Sequence, residues 1–276
     1  MVLILTAFVL TGCTSVTVEA TEEHTVIVKT SGGMPLDGVE VRVYSDETKN
    51  DLLWAGMTDE EGRTPLFTVT AAPTCVAVAE TLPEGYIVPE FTEMKPGDTV
   101  ITAETKLLPE VDLSEVTYKL GSIAHDFTVT AADGSEYTLS SLLEEKRAVV
   151  LNFWFMNCGP CRMEFPYLQQ AYLDYKDKLE VLALNPLDGN DESIAAFAEE
   201  LGLTFPMSKT DPAWERSMVL TAYPTTVVID RYGMITMIHK GSITEKETFT
   251  KIFDYFTSDE YTQSIVRNAS EITDQN

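Results

Sequence analysis

The sequence predicts two folded parts in series: an all-β sandwich over residues 25–108 and an α/β domain over residues 119–257, joined by a linker at 109–118. Two patterns carry that prediction. In the first part, short stretches of alternating apolar and polar residues such as "TVIVKT" and "GVEVRVY" recur between turn signals, as in a small antiparallel sandwich. In the second, continuous apolar runs alternate with stretches of helical length and a hairpin closes the series, which describes a sheet covered on both faces.

The elements follow in order. After "TVIVKT" and "GVEVRVY" come "TCVAVAE" and "DTVITAETKLL", separated by "SGGMPLDG", "DEEG" and "LPEGY", whose Gly, Pro and Asp residues favour turns. "PEVDLSEVTY" reads as the linker. "DFTVTAADGSEYTL" is a hairpin with Asp133-Gly134 in its turn, and "SLLEEK" a short helix. "AVVLNFWF" has the unbroken apolar character of a central strand buried on both faces. "CRMEFPYLQQAYLDYKDK" is the next helix, kinked or delayed by Pro166. "LEVLALNP" is a second buried strand, "DESIAAFAEELG" a helix stopped by Gly202, and "TTVVIDRYGMITMIHKG" the closing hairpin. "TEKETFTKIFDYF" is a final amphipathic helix, and residues 258–276 read as a polar tail.

Composition excludes some functions. With 44 Asp and Glu against 19 Lys and Arg the formal net charge is −25, which repels phosphate backbones and anionic lipid. Nucleic acid is not an expected partner, and attachment to a membrane requires something other than charge. The opening "MVLILTAFVLTGC" is apolar but too short to span a bilayer, and reads as an export signal over residues 1–12. Leu10-Thr11-Gly12-Cys13 resembles the lipobox of bacterial lipoproteins, although basic residues are missing ahead of the apolar run. The resemblance implies acylation at Cys13, a lipidated tether over 13–24, and a place on the extracytoplasmic face of the cell membrane.

Three cysteines remain. Cys75 lies within a strand and reads as a small buried apolar side chain. Cys158 and Cys161 stand between the central strand and a helix, where the free N–H groups of the helix start stabilise a thiolate. Three positions apart in the first turn, their sulfurs fall on one face and can close a disulfide. Cys158, expected to be the more exposed, is the candidate attacking sulfur and Cys161 the resolving one. Gly159 allows close approach of a partner, and Pro160 suits the first helical turn. A zinc site requires about four ligands. One CxxC supplies two, and His24, His125 and His239 are not paired in spacing, so no metal is expected.

On "NFWFMNCGPCRMEFP" and "AYPTTVVIDRYGMI", residues 120–256 resemble the thioredoxin superfamily, most closely its TlpA/ResA-like branch of exported thiol-disulfide oxidoreductases. The resemblance implies a thioredoxin-like fold, a redox-active Cys158–Cys161 disulfide as the whole of the redox equipment with no separate cofactor, and a cis peptide at Tyr223-Pro224 facing the cysteines. Trp154, Gly159, Pro160, Tyr223 and Pro224 are then the residues expected to meet substrate. Asn152 stands where thioredoxins carry a buried acid. Glu164, one turn past Cys161, is the matching candidate for moving the buried thiol's proton, although a carboxylate near a helix start is also favoured for structural reasons. Asn157 replaces the tryptophan many relatives carry, and Phe155 replaces the threonine that peroxiredoxins need, which disfavours peroxide chemistry.

The implied partners are disulfide-containing exported proteins, apocytochrome c among them, and a membrane thiol electron donor. "GMPLDGVEVRVY", "GMTDEEGRTPL" and "LPEGYIVP" resemble prealbumin-like or Cna-B-like modules, which serve as spacers or docking units. That leaves two further readings open: a surface binding or scaffolding lipoprotein with a non-cycling disulfide, and an oxidase of exported thiols.

Overall fold

The computed structural model describes residues 21–70, 76–263 and 269–273. Cys13 and Cys75 therefore lie outside the described residues, as does the start of the tether.

Among the described residues the N-terminal part contains eight strands: β1 (Thr21–Thr30), β2 (Glu40–Tyr44), β3 (Leu52–Met57), β4 (Phe67–Thr70), β5 (Val76–Ala79), β6 (Tyr86–Ile87), β7 (Thr92–Glu93) and β8 (Gly97–Thr105). They form two four-stranded sheets, β4-β1-β8-β6 and β3-β2-β5-β7. The alternation read from the sequence is what builds them: Val26 and Val28 of β1, Val41 and Val43 of β2, and Ile101 and Ala103 of β8 all point into one buried cluster shared by both sheets. Two expectations need correction. β1 pairs with β8 in parallel, so the first sheet is not purely antiparallel. β1 also begins at Thr21, inside the segment expected to be tether.

The C-terminal part opens with the predicted hairpin, β9 (Thr128–Thr130) and β10 (Glu136–Thr138), followed by α1 (Leu139–Glu145). Then come β11 (Ala148–Phe153), α2 (Gly159–Tyr175), β12 (Leu179–Asn185), α3 (Asp191–Leu201), β13 (Met207–Lys209), α4 (Ala213–Ser217), β14 (Thr225–Asp230), β15 (Ile235–Lys240), α5 (Lys246–Thr257) and α6 (Ala269–Thr273). The sheet order is β13-β12-β11-β14-β15, with β11 at the centre, parallel to β12 and antiparallel to β14. All six residues of β11 are buried. Ala148, Val150 and Trp154 pack with α2 and α5 on one face, while Val149, Leu151 and Phe153 pack with α1 and α4 on the other. The same alternation places Asn152 on the α2 face.

α2 runs unbroken from Gly159, so Pro166 lies inside it and delays nothing. α3 ends where expected, at Gly202 in the left-handed region with φ 64°. The segment after α5 is not a free polar tail: Tyr261, Gln263, Ala269 and Ile272 are buried. Gln263 N donates to Gly32 O at 2.6 Å and Thr105 Oγ1 to Tyr232 O at 2.6 Å, which ties the N-terminal sheets to the C-terminal part. The approach is close enough that a Cβ on Gly32 would sit 2.5 Å from Gln263 Cβ. The linker packs as well, with Tyr118 buried and its N–H donating to Ser217 O at 2.7 Å.

Candidate active site

The chain leaves the central strand at Phe153 and enters α2 at Gly159, and the two cysteines occupy that junction. Cys158 caps α2: its Sγ accepts from Cys161 N at 3.1 Å, which sets a helix-terminal N–H against the sulfur. Such a donor and the helix dipole favour negative charge on that sulfur when the pair is reduced. Cys158 and Cys161 are joined as a disulfide, with Cα atoms 5.3 Å apart. The expected contrast in exposure is absent, because Cys158 is 1% exposed and Cys161 0%. Reach to the pair comes from the surrounding surface, since Asn157, Gly159 and Pro160 are exposed and the space beside Gly159 is open.

Trp154 corrects another expectation. It is fully buried, against Phe165 at 5.4 Å and Phe197 at 4.7 Å between ring centroids, and in this conformation it supports the site from below without a surface for substrate.

Glu164 follows one turn after Cys161 and is fully buried. Its Oε1 accepts from Asn152 Nδ2 at 2.6 Å and its Oε2 from Ile243 N at 2.7 Å. Burial disfavours the charged form and raises the carboxyl from 4.5 to about 7; the two donors oppose the shift without cancelling it. Asn152 Nδ2 also donates to Thr226 Oγ1 at 3.1 Å. The sequence reading took Asn152 as a missing acid and did not foresee it as this acid's partner. No local pattern points to Ile243, whose contribution is a backbone N–H from the loop after β15.

The Tyr223-Pro224 peptide is cis. Pro224 O accepts from Gly241 N at 2.9 Å, and the Tyr223 ring meets Phe155 edge to face at 5.4 Å. Among the described residues the backbone N–H and C=O of Tyr223 have no hydrogen-bond partner. A further residue escaped sequence reading: Asp188 Oδ1 accepts from Met156 N at 2.9 Å and from Asn185 Nδ2 at 3.0 Å, tying the loop after β12 to the loop that carries the cysteines. The turn-rich "NPLDGN" was the available signal. His24 is buried in the N-terminal part against Lys95 O, and His125 lies beside Tyr118, both away from the cysteines. Among the described residues no group of three or more His, Cys, Asp or Glu could hold a metal ion.

The chain is 34% identical over 140 residues to the thioredoxin-like protein YneN of Bacillus subtilis (strain 168), spanning 50% of this chain and 81% of YneN. It is 37% identical over 134 residues to the thiol-disulfide oxidoreductase ResA of Geobacillus kaustophilus (strain HTA426), spanning 46% of this chain and 73% of ResA. The chain belongs to the ResA/YneN family of thioredoxin-like thiol-disulfide oxidoreductases. The AhpC/TSA family matches residues 120–238 of this oxidoreductase. Among solved structures it resembles a thioredoxin-family thiol:disulfide interchange protein from Chlorobium tepidum TLS, at 22% identity and a TM-score of 0.43 over 50% of this chain and 97% of that one. The matched relatives cover the C-terminal half of the chain.

Proposed function

We propose that this oxidoreductase reduces disulfides of exported proteins through the Cys158–Cys161 pair. The observation that carries the reading is the disulfide at the N-terminus of α2, with Cys161 N donating to Cys158 Sγ. In the reduced protein the Cys158 thiolate attacks a substrate disulfide, forming a mixed disulfide and releasing one substrate thiolate. Cys161 loses its proton and attacks Cys158 Sγ, which releases the second substrate thiolate and closes the Cys158–Cys161 bond. Glu164 receives the Cys161 proton, for which a carboxyl raised to about 7 is suited near neutral pH. A membrane thiol donor returns two electrons, which restores the Cys158 thiolate, and the proton held on Glu164 returns to Cys161. The unpaired backbone of Tyr223 beside Pro224 offers an extended substrate segment a strand-like partner, with Gly159 and Pro160 lining the approach. Cys158 moves out from its buried position to react.

In this reading Cys13 carries lipid and holds the protein at the extracytoplasmic face of the cell membrane. The two N-terminal sheets act as a prealbumin-like or Cna-B-like sandwich spacing the redox unit from the lipid, and apocytochrome c is one candidate substrate. Serine variants test the chemistry. Cys158→Ser is expected to abolish disulfide exchange, while Cys161→Ser accumulates mixed disulfides that thiol reductants release. Retained exchange in Cys158→Ser would overturn the assignment of the attacking sulfur.

A further inference from the structure

The carboxyl of Glu164 has two partners of different kinds. Ile243 contributes a backbone N–H, which can only donate. Asn152 contributes a side-chain amide, which donates through Nδ2 and accepts through Oδ1, the two exchanging places when the amide turns over. As the structure stands, both carboxyl oxygens receive donors, an arrangement suited to the ionised form. A proton arriving on Oε1 would face the Asn152 NH2 group. A buried O–H without an acceptor is unfavourable. The acceptor is at hand, because Asn152 Oδ1 is buried and has no partner among the described residues. Thr226 Oγ1, the other contact of Nδ2, is a hydroxyl and serves equally well as donor or acceptor.

We propose that Asn152 is the positioning residue for proton transfer at Glu164, its amide turning over with the proton: Nδ2 donates to the carboxylate, and Oδ1 accepts from the carboxylic acid and from Thr226. This deepens the reading of Glu164 given above and rests on it. The amide thereby lets one buried carboxyl hold either protonation state with its hydrogen bonds made, as a carrier of the Cys161 proton must.

Few other titrating groups face this network. On β15, His239 pairs with Thr226 across the two strands, and its burial lowers its titration from the ordinary histidine value, which disfavours a charge there. On α2 the cysteines titrate only when reduced. α5 packs against α2 with Phe249, Ile252 and Phe253, all apolar.

The test is nuclear magnetic resonance on the full, oxidised chain, following the Asn152 side-chain NH2 and the Glu164 carboxyl carbon from pH 5.5 to 8.5. The expected result is a nuclear Overhauser contact between the Asn152 NH2 protons and the Thr226 side chain at pH 8.5 that is lost at pH 5.5, with the midpoint of the Glu164 titration. Asn152→Leu, which has no donor to offer the carboxylate, is expected to move the Glu164 midpoint to higher pH. A contact that persists at pH 5.5 while Glu164 titrates would overturn the turnover of the amide. An unchanged midpoint in Asn152→Leu would overturn the positioning role. Neither outcome touches the exchange reading, whose own test is the rate of disulfide exchange in Glu164→Gln: a wild-type rate and pH profile there would remove Glu164 from the chemistry whatever Asn152 does.

Discussion

Glu164→Gln tests the electrostatics of the site through stability alone, with no substrate needed. The carboxyl titrates at about 7 when folded, against 4.5 in the ordinary exposed state, because it is fully buried. Between those values the native chain holds a proton that the unfolded chain has released, so wild-type stability falls as pH rises through this window and levels off above it. At 1.36 kcal/mol for each tenfold change in proton affinity, the rise amounts to about 3 kcal/mol. Glutamine keeps the volume and titrates nowhere: its Oε1 accepts from Ile243 N, and its Nε2 finds Asn152 Oδ1 once the amide turns. The stability of Glu164→Gln minus that of the wild type is therefore expected to grow by about 3 kcal/mol between pH 4.5 and 7.5. Asp230, also buried and raised from 3.8 to about 6, acts in the same direction in both proteins and cancels in the difference. Urea unfolding of the disulfide form, followed by circular dichroism at several pH values, reads it. Parallel stability curves for the two proteins would refute the reasoning.

Two further variants probe the supports of the site. Asp188→Ala leaves Met156 N and Asn185 Nδ2 without their acceptor, with an expected stability loss of about 1–2 kcal/mol and faster hydrogen exchange at the Met156 amide. Asp188→Asn keeps an accepting oxygen and should recover most of both. Gly32→Val places side-chain atoms where Gln263 and Tyr232 already stand, and should speed hydrogen exchange at Gln263 and expose residues 258–263 to protease while disulfide exchange is unaffected.

Much of the redox unit was legible because its signals are local. "AVVLNFWF" could only be a strand buried on both faces, and β11 is the centre of the sheet. Cys158 and Cys161 fall at its junction with α2, and Glu164 lies one turn on, as their spacing required. The illegible parts are those made by distant backbone. Ile243 holds Glu164 from 79 positions away, through an N–H that any residue would offer. The parallel pairing of β1 with β8 depends on a chain that makes six intervening strands before returning, which alternation within either strand cannot encode. β3 was missed because "LLWAGM" is an edge strand with Leu52, Leu53 and Met57 exposed, so its apolar residues do not alternate. Residues 258–263 and 269–273 looked polar in part because Tyr261 buries its hydroxyl by donating it to Asp230 Oδ2, and because Gln263 is buried with its backbone N–H on Gly32 O and its side-chain Nε2 on Met234 Sδ.

The most direct test of the central claim is the redox equilibrium of Cys158–Cys161 in graded thiol/disulfide buffers, read by alkylation and mass. A single reversible two-electron transition is expected, with a midpoint nearer the thioredoxin value of about −270 mV than the DsbA value of about −120 mV. A pair that remains oxidised across the whole series would contradict it and make the disulfide a fixed structural feature; a midpoint near the DsbA value would make the protein an oxidant of exported thiols.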